Sequence, residues 1–207
     1  MKNYEIWSLV LGSTGVSIAL SVLIVTIWGE KLRQFWSKPN LKLSFLEASL
    51  NNTRDGINGW YYILQVSNDK KMSPADNVEI LLTNIYEKGP DDNWHEKLFS
   101  GQIPLAWRYP PYSGGKTVGR EADATFGHIM ENEHSFTMLP VAVVPNNLNQ
   151  KILPNNPTKL IFIATSNTVN SEPLIVKLTW SGKWVMGKAE IEKECTIKTN
   201  QENQTKL

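Results

Sequence analysis

The chain has one cysteine, Cys195, among its 207 residues. A single cysteine makes no internal disulfide and cannot build a zinc site alone. It fits a reducing compartment, and equally the many exported bacterial domains without disulfides. Cys195 reads as an inert residue near a strand end. Charge of one sign is also missing: 21 basic residues stand against 20 acidic ones, a net charge of +1. No global field draws in nucleic acid or anionic lipid. Lys70, Lys71, Lys116 and Arg120 are the nearest thing to a basic rim, and Asp69, Glu121 and Asp123 neutralise it. A nucleic-acid groove needs uninterrupted basic charge with stacking aromatics, so nucleic acid is not an expected partner. Beyond residue 40 no segment keeps a 3.6-residue period for three turns, which excludes a helical domain. A Gly-x-Ser-x-Gly nucleophile elbow is absent as well.

What is present begins with a long apolar run. Ile6–Trp28 carries no charge and no proline. As a helix it extends roughly 30 Å, the thickness of a hydrocarbon core. Inside lipid the backbone must bond within its own segment, and for one span a helix does this. The run is too long for a signal peptide and no small-x-small cleavage site follows it, so a retained anchor is expected. Trp7 and Trp28 mark its two ends, where amphipathic rings prefer the headgroup level. Lys31, Arg33, Lys38 and Lys42 follow the run, whereas only Lys2 and the terminal amine precede it. The positive-inside rule then places the following domain on the cytoplasmic side of the inner membrane.

Gly12, Ser13, Ser17 and Ser21 put small residues on one helical face. Such faces let two helix backbones approach and hydroxyls bond across the contact. The functional reading is a homo-oligomer through this helix or pairing with another membrane protein; the competing one is that glycine and serine are simply common in membrane helices. Glu30–Asn40 is amphipathic: Phe35 and Trp36 suit the headgroup layer, while Lys31, Arg33 and Lys38 meet lipid. Pro39 ends it.

The remainder is expected to be all-β, an immunoglobulin-like β-sandwich behind the one N-terminal transmembrane helix. The organisation is a short flank (1–5), a transmembrane helix (6–28), a juxtamembrane linker (29–40), a sandwich domain (41–187) and a polar, frayed tail (188–207). The domain has about 165 residues with its tail, enough for a core without staples. Period-two alternation or β-rich composition predicts strands at Leu41–Phe45, Trp60–Ser67, Asn77–Tyr86, Leu98–Trp107 (broken by Pro104), Ala124–Glu131, Ser135–Val144 and Lys159–Thr165. Leu174–Trp180 and Trp184–Met186 read as a hairpin around Ser181-Gly182-Lys183. Seven to nine short strands suit a two-sheet sandwich, with a barrel as the alternative.

Several motifs invite chemistry. Ser113-Gly114-Gly115-Lys116-Thr117 ends like a phosphate-binding loop, but Pro110 stands where the leading glycine belongs and no helix follows. These glycines suit a hairpin tip. His128 and His134 do not have the helical HExxH spacing and are too far apart along a strand to chelate one ion, so solvated loop histidines are the default. Asp91-Asp92 and Glu131/Glu133 are paired carboxylates in polar loops, where solvation is usual. No catalytic, cofactor or metal residue is expected.

Leu105–Tyr112 is the most informative run. Trp107, Tyr109 and Tyr112, stiffened by Pro110 and Pro111, are the candidate partner surface, since rigid rings give contact area at low entropic cost. The competing reading has Trp107 plugging the sandwich while the prolines shape a corner.

At Tyr61–Asn68 and Pro74–Val78, then Leu105-Ala106-Trp107, Gly119-Arg120-Glu121 and Phe126–Ile129, the chain resembles small bacterial single-pass membrane proteins with an immunoglobulin-like domain. The likeness spans the middle half of the soluble part. Relatives often carry Cys-Asp where this chain has Ala122-Asp123. The family has no assigned activity, so the resemblance carries over no functional residue.

The expected function is a membrane-anchored, non-catalytic module that binds or senses a protein partner. Two alternatives differ in class: a membrane effector whose helix oligomerises and perturbs the bilayer, and an exported binding domain anchored to the envelope.

Overall fold

Alternation of inward apolar and outward polar residues dominates the computed structural model, which describes residues 29, 37–69, 71–97, 101–139 and 148–201. The expected anchor and its interface and association residues (Trp7, Gly12, Ser13, Ser17, Ser21, Trp28, Phe35 and Trp36) lie outside the described residues. Among the described residues no helix is long and apolar enough to cross a membrane.

The domain is mostly β. Its strands are β1 (Leu41–Asn52), β2 (Asn58–Asn68), β3 (Ala75–Lys88), β4 (Trp94–Glu96), β5 (Ile103–Pro104), β6 (Ala106–Trp107) and β7 (Lys116–Val118). After them come β8 (Glu121–Met130), β9 (Phe136–Met138), β10 (Lys151–Ile152), β11 (Thr158–Thr165), β12 (Leu174–Trp180) and β13 (Cys195–Thr199), with one short helix, α1 (Lys188–Glu194), before the last. All pairings are antiparallel and form two sheets. The first runs β1-β2-β8-β9-β10 with β6 also on β8. The second runs β13-β12-β11-β3-β4, with β5 and β7 also on β3. Two sheets with separate edges meet the expectation of a sandwich rather than one closed barrel.

One apolar core lies between the sheets. Leu43, Tyr62, Leu64, Phe126 and Phe136 enter it from the first, and Ile80, Leu82, Leu160, Phe162, Val176 and Trp180 from the second. Phe126 is the bridge. Its ring meets Tyr62 at 6.1 Å and Phe136 at 5.7 Å within its own sheet, and Phe162 of the opposite sheet at 5.5 Å. A β-bulge places it there: Tyr62 pairs with Gly127 and Ile63 with Thr125, so Phe126 is the extra residue of β8. Such a residue breaks the alternation and re-aims side chains. Consecutive Phe126 and Gly127 are accordingly both buried. Gly127 has no room for a side chain, because an added Cβ would lie 2.2 Å from the Phe136 ring.

The C-terminal part departs from expectation twice. Residues 184–186 do not return along β12. Trp60 Nε1 donates to the Val185 carbonyl at 2.7 Å and fastens that segment at the first sheet instead. The strand that pairs with the free side of β12, away from β11, is β13, with Trp180 opposite Cys195 and Leu178 opposite Ile197. The frayed tail is likewise corrected: residues 188–199 fold as α1 and β13, and Ile191 and Cys195 are buried. Burial of Ile191 and Cys195, together with the pairing of β13 on β12, docks a stretch otherwise rich in Glu and Lys.

Candidate functional site

Two places in the described domain have the geometry of a binding site. The first is the loop between β6 and β7. Trp107 is 3 % exposed, so it belongs to the core and not to the expected surface. Its indole Nε1 donates to the Gly114 carbonyl at 2.9 Å, and its backbone N–H donates to Tyr112 O at 3.0 Å. Lys116 Nζ donates to Tyr109 O at 3.3 Å and lies over the Trp107 ring, while the Arg108 guanidinium lies 5.6 Å from the Tyr109 ring centre. Arg108 N–H donates to Asp123 O, tying the loop to β8. Tyr109 and Tyr112 remain exposed at 56 % and 63 %. The glycines of the would-be phosphate loop serve this turn: Gly114 has φ of 77°, and Gly115 packs so closely on β3 that an added Cβ would meet Asn77 Oδ1 at 1.8 Å.

The second is a cavity of about 320 Å³ at the side of the sandwich where β1 and β13 are both edge strands. Its apolar wall includes Phe45, Leu46, Ala48, Ile191 and Ile197. A bulge in β1 opens it: Phe45 pairs with Leu64 and Glu47 with Ile63, leaving Leu46 as the extra residue. Opposite stands α1, whose Lys188 Nζ meets Glu47 Oε2 at 3.0 Å. Tyr62 and Cys195 also line the cavity. Burial pushes the Cys195 thiol up to about 12, against an opposing influence from Tyr62, and burial likewise raises Tyr62. The two groups are near enough to affect each other's titration, yet the Tyr62 hydroxyl lacks a hydrogen bond of acceptable geometry. A thiol is a weak acceptor in any case. Nothing in the sequence marked this cavity, because its walls come from a bulge and from a segment that reads as a polar tail.

The other candidate groups are not brought together. His128 is a strand residue, not a solvated loop residue: its side chain is 12 % exposed and its ring lies 5.7 Å from that of Tyr61. Its Nε2 is 3.7 Å from Glu133 Oε2. His95 Nε2 meets Asp91 Oδ1 at 2.8 Å, and this contact, helped by Asn93, holds the exposed Asp91 carboxyl down at about 2. Asp92 pairs instead with Lys88, and Glu131 accepts from Asn58 Nδ2. Among the described residues no three His, Cys, Asp or Glu side chains converge as a metal site.

Burial pushes the His128 pKa below its ordinary value, and the raising influence of Glu133 only partly offsets this. The unfolded chain therefore takes up the proton first. As pH falls below the ordinary value of 6.5, stability is lost until the depressed folded value is passed. Thermal unfolding between about pH 7.5 and pH 5 should show wild-type Tm falling with acid more steeply than in His128→Gln. Equal slopes would remove His128 as the cause.

No protein family and no curated protein matches this sequence.

Proposed function

We propose that the chain is a membrane-anchored, non-catalytic, immunoglobulin-like module that binds a protein partner at the inner face of a bacterial membrane. The uncharged run 6–28 supports the anchor. Strand order supports the immunoglobulin-like reading: with β4, β5, β7, β9, β10 and β13 set aside and the remaining strands lettered along the chain, β1-β2-β8-β6 and β3-β11-β12 follow the order A-B-E-D and C-F-G.

The observation that carries the proposal is the pair of exposed rings, Tyr109 and Tyr112, on a loop whose backbone carbonyls are held by Lys116 Nζ and the Trp107 N–H. A loop backbone already held in place loses little freedom on docking, and tyrosine side chains have few torsions to fix. Tethering to a membrane raises effective concentration, so a modest surface suffices.

The full-length chain, purified in mild detergent from its own cells, should retain a stoichiometric protein partner. Tyr109→Ser with Tyr112→Ser should lose it while changing stability by no more than about 0.5 kcal/mol, as expected for exposed sites. A preparation that contains only a homo-oligomer, unchanged by the double substitution, overturns the proposal and supports the membrane effector.

A further inference from the structure

We propose that the partner of the Tyr109–Tyr112 loop presents a carboxylate to the Arg108 guanidinium, so that the loop recognises an acidic segment of a protein. The inference rests on the reading of this loop as the docking surface and adds the chemistry of what docks there.

Arg108 has donors to spare. Its guanidinium lies 5.6 Å from the centre of the exposed Tyr109 ring, and its N–H groups meet no acceptor among the described residues. Arg54 and Arg120 are exposed, whereas Arg108 is half-buried. A cation partly withdrawn from water gains most from an anion that reaches it. The planar fork of arginine takes a carboxylate through two parallel hydrogen bonds. The residue is also held at its base, since its backbone N–H donates to Asp123 O at 2.8 Å.

Elsewhere on the domain lysines are paired with carboxylates: Lys88 with Asp92, Lys97 with Glu87, Lys183 with Glu194 and Lys188 with Glu47. The loop differs. No acidic residue occurs between Glu96 and Glu121, and Lys116 Nζ donates to Tyr109 O rather than to a carboxylate. Two carboxylates come near from other strands. Asp123 accepts from Gln65 Nε2 at 3.2 Å and Asp76 from Thr117 Oγ1 at 2.9 Å. Neither forms an ion pair with Arg108 or Lys116 among the described residues. Two cations and two anions leave a local positive spot and no wide basic field. Nucleic acid and anionic bilayers need such a field. A short acidic segment seated beside two tyrosine rings does not.

Each variant of the full-length chain would be purified in mild detergent with its partner and immobilised. The half-time of partner release would then be measured at about 0.1 M and about 0.5 M NaCl. Higher salt should shorten the half-time for wild type. Arg108→Gln should shorten it about ten-fold at low salt, the scale of one charge-assisted hydrogen bond, and remove most of the salt effect. Arg108→Lys keeps the charge without the fork and should fall between the two. Asp123→Asn should lengthen the half-time, because it removes the carboxylate next in register to Arg108 that would repel the partner's own. All three variants should keep the wild-type Tm, since the Arg108 side chain holds nothing by hydrogen bond and asparagine still accepts from Gln65. Release unchanged by Arg108→Gln, where Tyr109→Ser with Tyr112→Ser loses the partner, overturns this inference and leaves the docking surface standing. Faster release from Asp123→Asn overturns it in the same way. If the double tyrosine variant keeps the partner, or wild type retains none, the docking surface fails and this inference with it. Loss of anionic phospholipid from the Arg108→Gln preparation, with protein release unchanged, would put a phosphate in place of the carboxylate and overturn it too.

Discussion

Phe126→Ala should destabilise the domain by about 3–5 kcal/mol, the usual result of deleting a fully packed aromatic ring. Phe126 is 1 % exposed and contacts rings on both sides of the core: Phe45, Tyr62 and Phe136 from the first sheet, Phe162 from the second. Its neighbours are themselves large and held by strands, so they cannot collapse into the space. Since domains of this size are stable by only about 5–15 kcal/mol, the variant should approach the limit of folding. Phe126→Leu keeps most of the volume and should lose much less. Urea unfolding of the full chain in one detergent, followed by tryptophan fluorescence, measures both. A Phe126→Ala midpoint equal to wild type would mean that the two sheets do not share this core.

The same residue shows what alternation reveals and where it misleads. Ala122, Ala124 and Phe126 keep period two, and the phase then slips by one so that Ile129 still faces inward. Period-two patterning or β-rich composition located the long strands β1, β2, β3, β8, β11 and β12, because each is a run of several residues. It missed β4, β7 and β10, which have only two or three residues and are defined by partners rather than by a pattern of their own. Within Ser135–Val144, β9 covers Phe136–Met138. Trp107 could be read as a plug or as a contact surface from sequence, and its burial in the core, with its indole donating to the Gly114 carbonyl, decides the matter. Its neighbours Tyr109 and Tyr112 flank the proline pair in a loop, where rings are readily exposed. The cavity was not legible, since Leu46 and Ile191 are 145 positions apart in sequence and neither carries a motif.

The second large effect is expected at the C-terminus. A chain ending at Gly187 should fail to reach a stable fold, although the removed residues look like a charged tail. Ile191 and Cys195 are 0 % and 3 % exposed and belong to the common core. Burying one side chain of the size of Ile191 contributes about 1.5–3 kcal/mol. Removing β13 also frees the whole pairing edge of β12 from Val176 to Trp180, and an exposed apolar strand edge invites association with other chains. Ser181 N–H and its hydroxyl lose Glu194, and the Leu43 carbonyl loses the Gln201 side chain. These losses fall on one flank of the sandwich and together exceed half of an ordinary domain's stability. Ile191→Asp in the full-length chain makes the narrower test, because it leaves chain length intact and puts a carboxylate where no cation is buried with it. Hydrogen exchange should show β12 losing protection in both variants and β13 losing it in Ile191→Asp, while β2 in Ile191→Asp retains more than it does in the truncation. If instead the truncated chain melts like the intact one, the docking of α1 and β13 contributes nothing to the fold, and the cavity they wall goes with it.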